Sequence, residues 1–188
     1  MKTTMKLSIF LPMAAVLTLG VAAVYAQESV KMTFSGTSGN SANNLQQPDT
    51  HVDEDVFAGT GTLGSFTLRN LRAILNSPTP SNTCSGPNDE PSGAGVFRFE
   101  DGSLLFVQLT RADDCIDYVH LVAHCTLIFQ INGGTGRFSN AQGTLKLTET
   151  AGPVLFDYVG IPVYFAATGQ ITGTVWGVSG GQDQGGGQ

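Results

Sequence analysis

Residues 132–147 have the sequence NGGTGRFSNAQGTLKL, and this stretch decides the fold that the chain predicts. The glycines that can supply a positive φ or a close backbone approach are Gly133, Gly134, Gly136 and Gly143. The side chains that can point into a core are Phe138, Ala141, Leu145 and Leu147. A glycine-rich turn can also hold phosphate, but only where a helix starts behind it. Here residues 144–150 alternate with period two, so we predict a turn between two strands.

The same stretch resembles a known signature. Residues 133–138, with Ala141 and Gly143, are similar to the Gly-Gly-Thr-Gly-x-Phe-x-x-Ala-x-Gly signature of dirigent proteins, and residues 138–147 resemble the matching segment of allene oxide cyclases. This resemblance implies a closed, antiparallel, eight-stranded barrel of the calycin-like kind, in a superfamily with many secreted bacterial members. Residues 59–67 loosely resemble a strand opening of those relatives. The signature marks a structural turn, and no catalytic residue of either family can be placed by motif.

The start of the chain predicts a cleaved secretory signal peptide over residues 1–26. Lys2 and Lys6 precede an apolar run over residues 7–24, and Val24-Tyr25-Ala26 has small residues where a signal peptidase cuts. A transmembrane anchor is the alternative, but Pro12 and other breaks interrupt the run. We therefore expect a secreted protein, extracellular or periplasmic, that does not contact a membrane after cleavage.

Composition and charge narrow the classes of function. Cleavage would leave 188 − 26 = 162 residues, enough for one domain, which we place at 27–178. The formal net charge is −6, and loss of two lysines makes it −8, which argues against nucleic acid as a partner. The 24 glycines and the absence of a long helical apolar pattern favour an all-β domain. Residues 179–188 are almost entirely Gly and Gln, so we predict a flexible tail.

Alternation predicts the strands of the first half. We expect a first strand over residues 30–35, a polar loop over 36–52 and a strand over 63–75. Residues 51–55, His-Val-Asp-Glu-Asp, are the densest acidic cluster; we interpret them as a solvated loop, with a calcium site as the alternative. Asn70 and Arg72 fall on the same face of the 63–75 strand as Phe66, Leu68 and Ile74, which could place them near a cavity or at the barrel rim. The alternative is a strand that breaks near Asn70.

The second half begins with the clearest predicted hairpin. Residues 94–100 and 103–111 flank Asp101-Gly102, a pair suited to a two-residue turn. We then expect a connection over 112–118 and a strand over 119–131, followed by strands over 144–150, 154–159 and 163–178. In the strand over 119–131 the odd-numbered positions form an apolar face. The residues that we single out as candidates for ligand binding are Phe97, Phe99, Arg98, Glu100, His120 and His124.

His120 and His124 invite a metal-site interpretation, which strand geometry disfavours. Residues four apart on one strand lie about 13 Å apart, too far to share one ion. We therefore predict no metal and no cofactor. As single groups the two histidines can act as acid–base residues or as pH-sensitive polar contacts, and exposed or hydrogen-bonded sheet histidines are the plainer interpretation.

The three cysteines of the predicted mature chain are Cys84, Cys115 and Cys125. Cys84 falls in a predicted proline-rich loop over residues 76–93, and Cys115 falls in the predicted connection over 112–118. We therefore predict a disulfide between them, worth about 3–4 kcal/mol in the chain-entropy model. Cys125, on the apolar face, is then a buried free thiol rather than a nucleophile. The other two pairings stay open at this point.

An eight-stranded barrel is either filled by side chains or able to hold one small ligand. Our first hypothesis is a secreted module that binds a small apolar molecule or plays a structural role in the envelope. The alternative is an enzyme resembling the cyclases or dirigent proteins, which steers a reactive apolar intermediate. Inward-facing charged residues would favour the enzyme. We prefer the non-enzymatic hypothesis, and the sequence leaves the ligand and the oligomeric state, an oligomer included, open.

Overall fold

The computed structural model describes residues 27–41, 47–76, 87–88, 90, 92–117 and 119–179. This part of the chain is all-β, with a single 3-10 turn at Gly136–Phe138. The strands are β1 (Glu28–Ser41), β2 (Thr50–Gly61), β3 (Phe66–Leu75), β4 (Pro87–Asn88), β5 (Ser92–Phe99), β6 (Leu104–Asp117), β7 (Val122–Gly134), β8 (Gln142–Phe156) and β9 (Pro162–Trp176).

Eight of these strands form a closed antiparallel barrel, as the resemblance of residues 133–143 implies. Each strand pairs with its neighbour in the order β1-β2-β3-β5-β6-β7-β8-β9, and β9 pairs back onto β1 with Val175 opposite Glu28. The two-residue strand β4 lies outside the ring and pairs only with β6, where Pro87 lies opposite Cys115. Closure pairs every wall strand on both sides, which removes the exposed edges that an open sheet would carry.

One half of the barrel interior is packed with aromatic and aliphatic side chains. The ring centroids of Phe34 and Phe57 lie 4.5 Å apart, and those of Phe99 and Phe138 lie 4.8 Å apart. The other large, fully buried side chains of this core are Phe97, Phe129, Met32, Leu68, Leu105, Leu127, Leu145, Leu147, Ile171 and Val30. This half is filled, so any cavity must lie in the other half.

The glycine-rich turn between β7 and β8 closes the packed end. Gly133 has φ of 85° and Gly136 has φ of 59°, values that favour glycine. At Gly134 a Cβ atom would collide with the carbonyl oxygen of Leu104 on β6, so only glycine fits against that strand. Phe138, in the 3-10 turn, is fully buried. The guanidinium of Arg137 stacks over the Phe138 ring at 4.6 Å from its centroid.

The predicted loop over residues 36–52 is wrong at both ends. β1 continues to Ser41 and β2 begins at Thr50, because the polar residues still pair on both sides: Ser38 lies opposite Asp55 on β2 and opposite Phe165 on β9. The interpretation of residues 51–55 as a solvated acidic loop is also wrong. Asp53 and Asp55 are inward-facing residues of β2, and both are buried.

The predicted connection over 112–118 is largely strand. β6 runs to Asp117 and β7 begins only at Val122, so residues 119–121 form the turn between them. Val119 and Leu121 are therefore exposed instead of continuing the apolar face. That face does point inward from Cys125 to Ile131.

The other strand predictions need smaller changes. The predicted strand over 144–150 and residues 154–156 of the predicted strand over 154–159 belong to one strand, β8, whose register shifts next to Pro153. Residues 157–159 lie in the turn that follows β8, so that part of the prediction is wrong. The turn of the β5–β6 hairpin contains four residues, 100–103, and its Phe99 N–H donates to the Ser103 carbonyl oxygen at 3.0 Å. Asn70 and Arg72 do share the inward face of β3 with Phe66, Leu68 and Ile74, as the sequence predicts.

Several predictions concern residues outside the described ones. These are the signal peptide over 1–26, residues 180–188 of the tail, and Cys84. Within the described ranges, no helix has the length and apolar character needed to cross a membrane.

Candidate functional site

The inward positions of the second half of the barrel are polar instead of apolar. Strand pairing aligns them into one layer: Asp55 on β2 lies opposite Asn70 on β3, and Cys125 on β7 lies between Asp114 on β6 and Glu149 on β8. All five side chains are buried. Alternation with period two thus carries these groups into the interior at the same level of the barrel.

Arg72 forms ion pairs with four buried carboxyl groups, those of Asp53, Asp55, Glu90 and Asp114. We call these four and the neighbouring buried Glu149 the acidic cluster. Arg72 Nη2 donates a hydrogen bond to Asp55 Oδ1 at 3.2 Å, and Nη1 donates one to Glu90 Oε1 at 2.5 Å. Its nitrogens also lie 3.6 Å from Asp53 Oδ2 and 3.5 Å from Asp114 Oδ2. A planar guanidinium can serve several carboxylates at once, which explains arginine here.

Asp55 accepts a hydrogen bond from a second side chain besides Arg72. Asn70 Nδ2 donates a hydrogen bond to Asp55 Oδ2 at 2.9 Å. Arg72 Nε lies 3.0 Å from that oxygen but without hydrogen-bond geometry. Asp55, which has no measurable exposure, is therefore the best-satisfied acid of the cluster.

Glu149, in contrast to Asp55, is the least satisfied acid of the cluster. It is 4% exposed, and neither of its carboxyl oxygens has a hydrogen-bond partner among the described residues. One oxygen each of Asp53, Glu90 and Asp114 is also without a partner there. Buried polar groups are nearly always paired, because an unpaired one costs about 1–3 kcal/mol. The hydrogen-bonding capacity of these oxygens is therefore not used by the described residues.

Burial keeps part of the acidic cluster protonated. Desolvation raises the pKa of Glu149 to about 8, with the charge of Asp55 adding to the rise and that of Arg72 opposing it. Desolvation likewise raises the pKa of Glu90 to about 9 and that of Asp53 to about 6. One arginine cannot neutralise five carboxylates, so at neutral pH Glu90 and Glu149 are predominantly neutral acids. A neutral Glu90 still accepts from Arg72 through its carbonyl oxygen.

A cavity of about 300 Å³ opens above this layer. Its floor consists of polar groups of the layer: Asp53, Arg72, Asp114, Cys125 and Glu149. Its walls are mainly apolar: Ile74, Leu121, Ala123, Ala151, Pro153, Ile161, Pro162 and Phe165. Leu121 and Ile161 are also largely exposed, so the apolar wall continues to the outer surface. A volume of this size lies at the lower end of those seen for small-molecule pockets.

His51 lies at the edge of the floor. Its Nδ1 is 3.0 Å from the amide oxygen of Asn76, and its Nε2 is 3.7 Å from Asp53 Oδ1. The histidine therefore bridges the end of β3 and the acidic cluster. It is the one histidine among the described residues that lines the cavity.

Four of the six predicted ligand-binding residues lie on β5 or directly after it, and none of the four lines this pocket. Phe97 and Phe99 point inward but belong to the packed half of the core. Arg98 and Glu100 alternate with them and are exposed on the outside of the barrel. The structure thus separates the two phenylalanines from the two charged residues by the thickness of the sheet.

The two candidate histidines are also on the outside. His120 lies in the β6–β7 turn, where its Nδ1 is 2.6 Å from Asp117 Oδ2; the hydrogen bond with His120 lowers the pKa of that aspartate to about 2. His124 is exposed on β7, with its Nδ1 3.4 Å from the Thr150 hydroxyl. Both histidines are therefore exposed and lie next to a possible hydrogen-bond partner, which is the plainer of the two interpretations given for them from the sequence.

The described residues include two of the three cysteines, Cys115 and Cys125. Cys125 is free and buried on the floor, where burial, followed by the charge of Asp114, raises the thiol pKa well above its ordinary value. It is therefore a thiol and not a ready nucleophile. Cys115, on β6, is the cysteine that we predict to pair with Cys84, and the free state of Cys125 is consistent with that pairing. The pairing itself stays a prediction.

The described residues contain no group of three or more His, Cys, Asp or Glu side chains arranged to hold a metal ion. The acidic cluster has the right ligand type for a hard cation, yet Arg72 occupies its centre. What the cluster can do chemically is hold and exchange protons, because its carboxyl groups have separated pKa values near neutrality.

Sequence reasoning missed most of this floor. Glu149 carried a usable signal, since it follows Leu145 and Leu147 at a spacing of two and so falls on the apolar face of β8. The sequence predicts a connection at Asp114 and a solvated acidic loop at Asp53, but both residues belong to strands and are buried. Arg72 was noticed because an arginine between Leu68 and Ile74 breaks an apolar alternation.

Comparison with known proteins adds little to this geometry. No family model matches the chain, and a search of curated proteins gives no match. Among solved structures, the chain is similar to the one described as the pterocarpan synthase dirigent protein GePTS1, at 14% sequence identity over 88% of this chain and 98% of that chain, with a TM-score of 0.39. At this TM-score the similarity is too loose to support an argument about the site.

Proposed function

We propose that this barrel binds a small molecule that has an apolar body and a polar head. The observation that carries the proposal is the cavity of about 300 Å³ with apolar walls and a floor of unpaired carboxyl oxygens. Protein interiors are close-packed and pair their buried polar atoms, so a cavity whose carboxyl oxygens have no partner in the protein is available to a ligand. A ligand that fills the cavity would bury its body against the walls and place its head on the floor.

Native mass spectrometry of the protein from its natural source tests the proposal. We expect a stoichiometric small molecule on the wild-type protein and its loss in Ala123→Phe, which fills the cavity from the wall. Ala58→Phe adds the same ring at an exposed position outside the barrel and should keep the molecule. A clean apo mass for the wild-type protein, or equal occupancy in both variants, would contradict the proposal.

A second candidate function is catalysis of the cyclase or dirigent type, in which the barrel steers a reactive apolar intermediate. The observation in its favour is that Asp53 and Glu149, with pKa values of about 6 and about 8, face one cavity. Two acids with separated pKa values can serve as base and acid near neutral pH. Inward-facing charged residues of this kind are what the enzyme hypothesis predicts.

The two functions differ in what happens to the bound molecule. If the barrel is an enzyme, the co-purified molecule incubated with wild-type protein should change mass, with a bell-shaped rate profile between about pH 6 and pH 8. Glu149→Gln should keep binding and abolish that conversion. An unchanged molecule across the pH range would leave binding as the function.

The proposed setting is outside the cytoplasm. It rests on the predicted signal peptide, with a disulfide between Cys84 and Cys115 suited to an oxidising compartment. N-terminal sequencing of the mature protein should begin at Gln27, and peptide mapping without reduction should recover Cys84 linked to Cys115. A retained Met1, or a Cys125-containing disulfide, would contradict these assignments.

A further inference from the structure

Apart from the O–H of the protonated Glu149 and the Nε–H of Arg72, the unused hydrogen-bonding capacity of the pocket floor consists of acceptors. The floor oxygens without a partner are Asp53 Oδ1, Asp114 Oδ1, Glu149 Oε1 and Glu149 Oε2. The strong donor on the floor, Arg72, is already surrounded by carboxylates, and its unpaired Nε faces Asp55 at 3.0 Å. A ligand head that completes this floor must therefore bring donors.

The charge of the floor leads to the same conclusion. With all five acids ionised, the acidic cluster and Arg72 would carry 1 − 5 = −4, and with Glu90 and Glu149 protonated they still carry 1 − 3 = −2. An anionic head would meet this excess negative charge at close range in a medium that screens it poorly. A cation would instead supply the charge that the cluster lacks.

An ammonium group fits both requirements. It brings three N–H donors and no acceptor, whereas a hydroxyl brings one donor and a carboxylate brings none. Charge-assisted hydrogen bonds to carboxylates are also roughly twice as strong as neutral ones. The apolar walls then limit the rest of the molecule to a compact hydrocarbon or aromatic body.

We propose that the pocket binds small organic cations, an ammonium or amidinium group on an apolar body, with the head held by Asp53, Asp114 and Glu149. This inference rests on the proposed binding function and names its ligand class. As the cation enters, the O–H bond of the neutral Glu149 carboxyl breaks, its electron pair stays on the carboxylate, and the proton leaves to the solvent. Binding is thereby coupled to release of a proton.

The groups that set this coupling surround Glu149 on several strands. They are Asp53 and Asp55 on β2, Arg72 on β3, Asp114 on β6 and Cys125 on β7. On the other side, β9 places Gly169 opposite Glu149 and adds no charge. The carboxylates keep the Glu149 proton in place, and an added cation among them opposes that effect.

Isothermal titration of the full chain near pH 7 tests the inference with three probes of one shape: 2-phenylethylammonium, 2-phenylethanol and phenylacetate. We expect the cation to bind about tenfold or more tightly than the alcohol, and phenylacetate not to bind. Titrations in two buffers of different ionisation enthalpy should show release of roughly 0.5–1 proton per cation and none with the alcohol.

Two variants separate this inference from the general binding proposal. Glu149→Gln should abolish proton release and reduce the preference for the cation, while the alcohol binds as before. Glu100→Gln, an exposed carboxyl outside the barrel, should behave as wild type. Equal binding of alcohol and cation, binding of phenylacetate, or cation binding without proton release would overturn the inference alone. Failure of all three probes on a protein that also carries no co-purified molecule would overturn the proposed function with it.

Discussion

Arg72 Nη1 donates a hydrogen bond to Glu90 Oε1 across 2.5 Å, and this contact ties a wall residue of β3 to a residue from outside the wall. Glu90 belongs to the segment between β4 and β5, yet it is buried against the barrel interior. The acidic cluster therefore depends on one cation that also holds a connecting segment in place. Loss of that cation should affect stability before it affects anything else.

We expect Arg72→Met to lower the free energy of unfolding by about 3–5 kcal/mol at pH 7, because it leaves buried carboxylates without their counter-ion. Urea unfolding measures this, and the loss should shrink at about pH 4, where more of the carboxyl groups can take a proton. Arg98→Met, on the exposed face of β5, is the matched control and should change stability by less than about 0.5 kcal/mol. Equal effects of the two substitutions would show that Arg72 is not the counter-ion.

Glu149 gives stability a pH dependence whose sign follows from its raised pKa. Its folded pKa is about 8, against 4.5 for an ordinary glutamate, so between these values only the folded chain holds the proton. The contribution of Glu149 is complete below about pH 4.5 and is lost as the pH rises through 8. Relative to Glu149→Gln, the wild-type free energy of unfolding should fall by up to about 1.4 kcal/mol per pH unit.

Urea unfolding of both proteins at intervals from about pH 5 to pH 8 measures that difference. Glu100→Gln serves as the control, since its carboxyl is exposed and its curve should run parallel to the wild type. A difference between wild type and Glu149→Gln that stays constant over the window would mean that Glu149 is ionised in the folded protein.

The β7–β8 turn should tolerate no side chain at Gly134. Gly134→Ala places a Cβ atom against the Leu104 carbonyl oxygen, so we expect a loss of about 1–3 kcal/mol in the free energy of unfolding. Gly152→Ala on β8 is the natural comparison, because a Cβ atom there meets nothing within 4 Å. Chemical denaturation of both variants decides the matter, and a neutral Gly134→Ala would disprove the close approach.

Arg137 makes several contacts at the packed end of the barrel, and we expect these contacts to stabilise the fold. It donates to the Leu63 carbonyl oxygen, its Nε lies 3.1 Å from Asp101 Oδ2, and it stacks over Phe99 and Phe138. We expect Arg137→Ala to cost about 1–3 kcal/mol, measured by thermal unfolding.

Arg111→Ala, at an exposed position of β6, is the control for Arg137 and should leave the melting temperature nearly unchanged. Ligand binding should survive Arg137→Ala, because the pocket lies in the other half of the barrel. Equal melting temperatures for the two variants would mean that the contacts of Arg137 contribute no stability.

The fold was predictable because its signals are local. The turn glycines at 133 and 136 adopt the positive φ that their sequence suggests, and the inward apolar face of β7 from Cys125 onward follows from alternation alone. The lengths of strands were less predictable. β1 and β6 extend through polar residues such as Ser38 and Asp114 because those residues face a polar interior.

The site was harder to predict because its charged side chains face the interior of the barrel, whereas charged side chains usually face solvent. Acidic residues are almost never buried unless they are paired, so Asp53 and Asp55 were interpreted as solvated. Their counter-ion, Arg72, lies on the next strand, and only the register that sets Asp53 opposite Arg72 joins them. Alternation alone does not report that register. Two features together would indicate such an ion pair from the sequence. One is an arginine on the apolar face of a strand, and the other is a neighbouring segment whose acidic residues recur at every second position.

The pairing of Glu28 with Val175 has a further consequence for engineering. Because β1 and β9 lie side by side, a short linker between the two ends of the barrel would let the chain be circularly permuted and reopened at Gly102, in the exposed β5–β6 turn. That turn belongs to the Phe-rich end. The new termini would therefore lie far from the cavity, and reporter domains could be attached there without crowding its entrance.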